Sequence, residues 1–143
     1  MKKILIFGLP GSGKSYLAEP LAKELGGVWI NADQVREQYD DWDFSDEGRM
    51  RQALRMKFLS EGVVRAGKFA ITDFVCPFEK ARVDFAPDYS VWMDTIKEGR
   101  FEDTNKIFEK PTSVDHIVHT FRPDVHVTTA AIIRATFKLD TED

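Results

Sequence analysis

The chain has 143 residues, 43% of them hydrophobic, enough for one sizeable core and a single domain spanning residues 1–143. Its 20 basic and 24 acidic residues leave a net charge of −4 without any block of lysine or arginine, which counts against a nucleic-acid partner and favours a small substrate. A lone cysteine, Cys76, cannot form an internal disulfide, and the N-terminal apolar run of about five residues is too short for a signal-peptide core or a membrane span, so a cytoplasmic protein with no membrane partner is expected.

Lys3 to Phe7 reads as a first strand that leads straight into Gly8-Leu9-Pro10-Gly11-Ser12-Gly13-Lys14-Ser15, a complete G-x-x-x-x-G-K-S phosphate-binding loop. Gly8, Gly11 and Gly13 let the backbone turn tightly and present N–H groups to phosphates, and the helix starting near Lys14 adds the positive end of its dipole. Lys14 is expected to reach the β and γ phosphates, and the Ser15 hydroxyl to complete a magnesium shell. The implied cofactors are ATP or GTP with Mg²⁺, contacted by Gly8 and by Pro10 through Tyr16.

Tyr16, Leu17, Leu21 and Leu25 mark the first helix, which Gly26-Gly27 closes, and Val28 to Ile30 is a second strand. Asp33-Gln34-Val35-Arg36 begins a helical turn. A long helix is expected from about Asp46 to Ala66, a third strand from Phe69 to Thr72, a short helix from Pro77 to Phe85 and a fourth strand from Tyr89 to Met93. Residues 95 to 114 lack periodicity and read as a loop closing over a ligand. Ile117 to Phe121 is a candidate fifth strand, and Ala130 to Phe137 belongs to a closing helix. Alternating strands and helices imply an α/β fold: an open parallel sheet of about five strands with helices on both faces.

Ligands of such sheets sit beyond the carboxyl ends of the strands, which directs attention to Asn31 and Asp33 after the second strand and to Asp73 after the third. Asp33 has two readings, a catalytic base beside an anion-binding Arg36 or a plain helix N-cap. Asp73 is either a magnesium carboxylate or a strand-end turn residue. His116, His119 and His126 do not form a metal set, because the first pair, three apart on a strand, would point to opposite faces. Trp29, Trp42 and Trp92 read as structural, with Trp42 near the ligand region.

The order of motifs resembles adenylylsulfate kinase, a family that phosphorylates the 3′-hydroxyl of adenosine 5′-phosphosulfate with ATP. The phosphate loop is similar to the family's Gly-Leu-Ser-Gly-x-Gly-Lys-Thr, and Asn31-Ala32-Asp33-Gln34-Val35-Arg36 to its Asp-Gly-Asp-x-x-Arg. Phe44-Ser45-Asp46-Glu47-Gly48-Arg49 is similar to Gly-Phe-Ser-x-x-Asp-Arg, and Cys76-Pro77-Phe78 with Arg82 to Ser-Pro-Tyr and its following arginine. Phe108-Glu109-Lys110-Pro111 resembles Tyr-Glu-x-Pro, and Phe101 falls where the family has the phenylalanine of Gly-Phe-Thr-Gly.

The resemblance implies that Phe44 and Phe101 sandwich the acceptor's adenine while Arg36 and Arg49 hold its phosphosulfate. Flat apolar slots suit purines, and guanidinium forks match anionic oxygens. By the same resemblance Gln52, Cys76 and Pro77 border the acceptor, Asp33 and Lys14 are catalytic, Ser15 and Asp73 hold the metal, and a homodimer is one state open to the protein, since the family often forms dimers, although the sequence itself identifies no interface. Asn31 and Gly48 replace family aspartates, Gln52 replaces an asparagine, and a lysine-rich lid is missing after Asp94. Lys97 and Arg100 are either a reduced lid or surface charge. Two rival readings stay open: a kinase of the same architecture acting on another nucleoside, nucleotide or polynucleotide end, and a non-catalytic ATP-binding module.

Overall fold

The computed structural model describes residues 1–99 and 101–139. Its centre is a parallel sheet of β1 (Lys3–Phe7), β2 (Val28–Asn31), β3 (Ala70–Asp73), β4 (Tyr89–Met93) and β5 (His116–Val118), in the order β2-β3-β1-β4-β5. β1 lies between β3 and β4, so every residue of it is buried and its apolar run is continuous. Period-2 alternation then divides that run. Ile4 and Ile6 join the cluster under α1 (Lys14–Leu25) and α6 (Val125–Phe137), whereas Leu5 and Phe7 pack with Ala53 and Met56 of α3 (Asp46–Arg65) and Phe85 of α4 (Glu79–Phe85).

The expected strands and the long helix appear with shifts of a residue or two, except β5, which runs from His116 to Val118. His119 therefore lies past the strand and pairs with Asp94 at 3.5 Å. Two helical readings are corrected. The turn at Asp33 extends into a whole helix, α2 (Ala32–Tyr39), and its cap is the Asn31 side chain, which accepts from Gln34 N. Within the stretch read as loop, Glu102–Ile107 form a short helix, α5. Ala130 to Phe137 belong to the closing helix, α6, which reaches back to Val125. Its β-branched first turn reads poorly as helix by propensity, and packing against α1 decides the matter.

The connection between α2 and α3 is folded tightly onto its flanking helices. Asp41 accepts from Arg51 Nε at 2.8 Å and pairs with Arg55, while Asp43 receives a second bond from Arg51 at 3.0 Å. Ser45 caps α3 by accepting from Gly48 N. A Cβ on Gly48 would lie 2.1 Å from the Asp43 main-chain oxygen and 2.5 Å from its carboxyl carbon, so glycine is required there by close approach. The residue that departs from the family pattern is thus the one that makes room for Asp43.

Candidate active site

The carboxyl ends of β1, β2 and β3 open into a cleft of about 680 Å³. Its floor is the phosphate loop. Gly13 adopts φ 99°, a left-handed conformation natural to glycine, as the residue that starts α1, which leaves the first N–H groups of that helix without side-chain caps. Gly8 is needed for closeness instead: a Cβ there would sit 2.7 Å from the Met93 carbonyl. Pro10, Gly11, Gly13, Lys14, Ser15 and Tyr16 line the cleft, whereas Gly8 and Ser12 lie buried behind it and shape the loop. The Ser12 carbonyl accepts from Thr95 Oγ1 at 2.7 Å, tying the exit of β4 to the loop.

Beside the loop, Asn31 and Asp73 are register partners at the ends of β2 and β3. A single amide nitrogen, Asn31 Nδ2, is 3.4 Å from both Ser15 Oγ and Asp73 Oδ2. The same Asp73 oxygen accepts from the indole of Trp29 at 2.5 Å. Burial pushes the Asp73 carboxyl above its ordinary pKa; Trp29, the Lys14 charge and Asn31 oppose that, and Asp33 adds to it. A hydroxyl and a carboxylate held together at the foot of the phosphate loop are hard oxygen donors, the set that magnesium takes. Asn31, which the family comparison marks as a lost carboxylate, here cross-links the two and caps α2. That leaves Asp33 in the first turn of α2, exposed and on the cleft wall, with the capping role taken by its neighbour.

Across the cleft stand Trp42, Phe44 and Phe101, each about half exposed. Large aromatics this exposed within a concave site offer a flat apolar surface to a ring. Arg49 lines the same wall, fixed by donating to the Phe44 carbonyl at 2.9 Å and to Thr104 Oγ1 at 3.1 Å, with Asp103 at 3.9 Å.

The other residues expected at the acceptor are placed elsewhere. Arg36 is buried, donates to the carbonyls of Asp41 and Asp43, and lays its guanidinium 4.3 Å from the Phe44 ring centroid, so it backs Phe44 instead of lining the cleft. Gln52 is buried against α2, donating to the Ala32 carbonyl at 3.1 Å. Cys76 is buried too, and desolvation pushes its thiol up to about 12, a poor nucleophile. Pro77 is covered, and its carbonyl accepts from Arg82 and from the Glu109 amide. Arg82 also donates to the carbonyls of Cys76 and Glu109, so the family-like Phe108-Glu109 segment is tied down by this arginine. Lys97 is exposed and outside the lining, although neighbouring Gly99 lies against Pro10; Arg100 lies outside the described residues.

Sequence reasoning gave no site role to Trp29, Asp103, Thr104, Phe74 or Val75. Only Asp103 carried a signal, its place two residues after Phe101.

A phosphate loop at the end of the central strand, a carboxylate at the end of its neighbour and helices on both faces define the fold of the phosphate-loop kinases. The family model for adenylylsulphate kinase matches residues 2–93, and the chain belongs to that family. An adenylyl-sulfate kinase of Bacillus licheniformis is 35% identical over 85 residues, which cover 55% of this chain and 43% of the relative. One from Bacillus velezensis is 33% identical over 109 residues, 72% of this chain and 50% of the relative. The chain thus spans about half the length, or less, of these curated relatives. In fold it is similar to the Mycobacterium tuberculosis APS kinase solved in complex with AMPPNP and APS, with a TM-score of 0.76 at 17% identity, covering 96% of this chain and 97% of that one. Among the described residues no helix is long and apolar enough to cross a membrane.

Proposed function

We propose that residues 1–143 act as one kinase domain that transfers the γ-phosphoryl group of ATP to the 3′-hydroxyl of adenosine 5′-phosphosulfate. The observation that carries this reading is the meeting, in one cleft, of the phosphate loop with an aromatic and cationic wall, Phe44, Phe101 and Arg49, and with Asp33 between them on the first turn of α2. Family membership and the named relatives support it.

In this reading the loop amides and Lys14 hold the phosphates of the donor and balance the charge that spreads over the transferred group. Ser15 and Asp73 would hold Mg²⁺, whose chemistry is to neutralise the phosphate oxygens and fix their direction. The hydroxyl of the acceptor is oriented by Asp33, which takes its proton as the new O–P bond forms and the bond to the leaving ADP breaks. Phe44 and Phe101 grip the adenine, with Arg36 stiffening Phe44 from behind. The distal anion goes to Arg49, the acceptor-side arginine of the cleft wall.

A coupled assay with adenosine 5′-phosphosulfate tests the reaction: ATP-dependent product is expected, and ATP binding without turnover would remove that acceptor. Asp33→Asn is expected to lower kcat by a factor of about 10²–10⁴; full turnover in this variant would remove the base.

A second reading, a kinase for a less anionic acceptor, draws on the withdrawal of Arg36 and Gln52 from the cleft and on Asp103 standing beside Arg49. An acceptor panel separates the two, since a nucleoside or sugar alcohol turned over faster than the phosphosulfate would favour the second.

A further inference from the structure

Phe101 raises a question of support. It is 52% exposed, so burial holds only half of it, and the main chain that carries the ring decides where it stands in the cleft. That main chain lies in the connection between β4 and α5, which meets the phosphate loop twice. Thr95 Oγ1 donates to the Ser12 carbonyl, and a Cβ on Gly99 would lie 3.0 Å from the Pro10 carbonyl, so the chain at Gly99 rests directly on the loop.

Asn105, on α5, fixes this stretch. Its carboxamide pairs with both main-chain groups of Gly99: Oδ1 accepts from the Gly99 N–H at 2.7 Å, and Nδ2 donates to the Gly99 carbonyl at 3.1 Å. Its own N–H donates to the Phe101 carbonyl, also at 3.1 Å. One residue therefore grips the chain two positions before Phe101 and at Phe101 itself. A short carboxamide carries a donor and an acceptor side by side, the complement of one residue's N–H and C=O; aspartate lacks the donor and alanine lacks both. Helix propensity does not account for asparagine here, since alanine is the better helix former. The neighbouring Thr104 is buried and accepts from Arg49 Nη2. Through Thr104 α5 thus reaches the acceptor-side guanidinium, and through Asn105 it reaches both Phe101 and the part of the chain that leans on Pro10.

We infer that Asn105 is a positioning residue for the acceptor: by clasping Gly99 against the phosphate loop it holds Phe101 at the slot, while lining no part of the cleft itself. The inference rests on the reading of Phe101 as one wall of the acceptor slot. Without the carboxamide the loop amides and the bond from Arg49 to Thr104 remain, so donor binding is kept, whereas Phe101 has to be ordered each time the acceptor binds.

Steady-state kinetics with adenosine 5′-phosphosulfate tests this role. Asn105→Ala is expected to raise the KM for the acceptor about tenfold and to change kcat and the KM for ATP by less than about twofold. Asn105→Gln, which keeps the carboxamide on a longer stem, should raise the same KM by less, and it carries the test if Asn105→Ala fails to fold. On a Phe101→Leu background Asn105→Ala should add nothing, because the ring it positions is gone. An equal effect on both backgrounds, a loss carried by kcat or by the KM for ATP, or unchanged kinetics would overturn the inference. Failure of the proposed reaction is recognised separately, as an unaltered protein that turns over no phosphosulfate. Amide hydrogen exchange in the free protein then decides: the amide of residue 105 is expected to exchange about tenfold faster in Asn105→Ala, and equal exchange would overturn the inference.

Discussion

The two sides of the cleft are built differently. On the phosphate side the binding groups are main-chain amides, fixed by the turn after β1 and by the start of α1, and they depend on glycines where a Cβ would collide or the backbone is left-handed. On the acceptor side the groups are side chains drawn from separate segments, Trp42 and Phe44 on the connection before α3, Arg49 on α3 and Phe101 before α5, and the connection is held by a web of arginines: Arg36 behind Phe44, and Arg51 and Arg55 on Asp41 and Asp43. Main-chain sites tolerate changes of neighbouring side chains, while a web held by side chains is exposed to every substitution within it.

The largest expected effect belongs to the phosphate side. Lys14→Met removes the one charge that the loop itself carries into the cleft, and phosphoryl transfer should fall by a factor of about 10³, with the melting temperature nearly unchanged, since the loop geometry rests on the main chain. Retained turnover would mean that Lys14 does not hold the donor phosphates.

On the acceptor side the matching change acts on stability. Gly48→Asp, which restores the aspartate of the family pattern, drives a side chain into Asp43 and should destabilise the fold by about 3 kcal/mol, read by chemical denaturation. The family's glycine before the phenylalanine corresponds to Asp43, but the added Cβ also lies 2.1 Å from the Asp43 main-chain oxygen, so the double change Asp43→Gly with Gly48→Asp should recover only the side-chain part of that loss. A double variant no better than the single one would show that the two positions do not share one volume.

This exchange also shows what could be read from the chain alone. The phosphate loop was legible because its residues are consecutive and each has a local task, β1 was legible from its apolar run, and β4 and α3 from their apolar residues, although the apolar face of α3 is imperfect. The acceptor side was half legible: Phe44, Phe101 and Arg49 could be named, but the withdrawal of Arg36 and Gln52 could not, because it depends on where residues 41 to 43 turn in space. Capping by Asn31 was obscured by Asp33, an equally good capping type two residues on. Trp29 gave no signal, since only the pairing of β2 with β3 brings its indole to Asp73.

Trp29 joins the comparison through acidity. In the metal-free site burial raises the Asp73 pKa, so the carboxylate that would take up a metal is lost on acidification at a higher pH than an ordinary aspartate would lose it, and the acid limb of Mg²⁺ binding should lie correspondingly high. The indole N–H favours the ionised form. Trp29→Phe should therefore move that limb further up in pH while leaving Mg²⁺ binding at neutral to alkaline pH less affected. A limb that stays in place or moves down would remove Trp29 from the support of Asp73.

The smallest effect is expected at Asp41, and its sign is opposite. Hydrogen bonds from Arg51 and Arg55 hold this carboxyl far below the usual range, so its pairing stabilises the folded chain above the unfolded aspartate value, near 3.8, and that contribution is lost as the pH falls towards the folded value. The pair is reached by solvent, so the gain is modest. Asp41→Asn should lower the melting temperature by a few degrees between about pH 5 and 8, and the gap to the unaltered protein should close below about pH 4. Asp73 responds to acid in the other sense. Its raised value means that ionising it costs the folded state stability, so acidification through that value relieves a strain on the phosphate side before the latch on the acceptor side begins to loosen. Melting curves of Asp41→Asn and Asp73→Asn followed across the same pH series would therefore diverge if the two walls are held as described, and parallel curves would show that one shared network, and not two separate devices, holds the cleft.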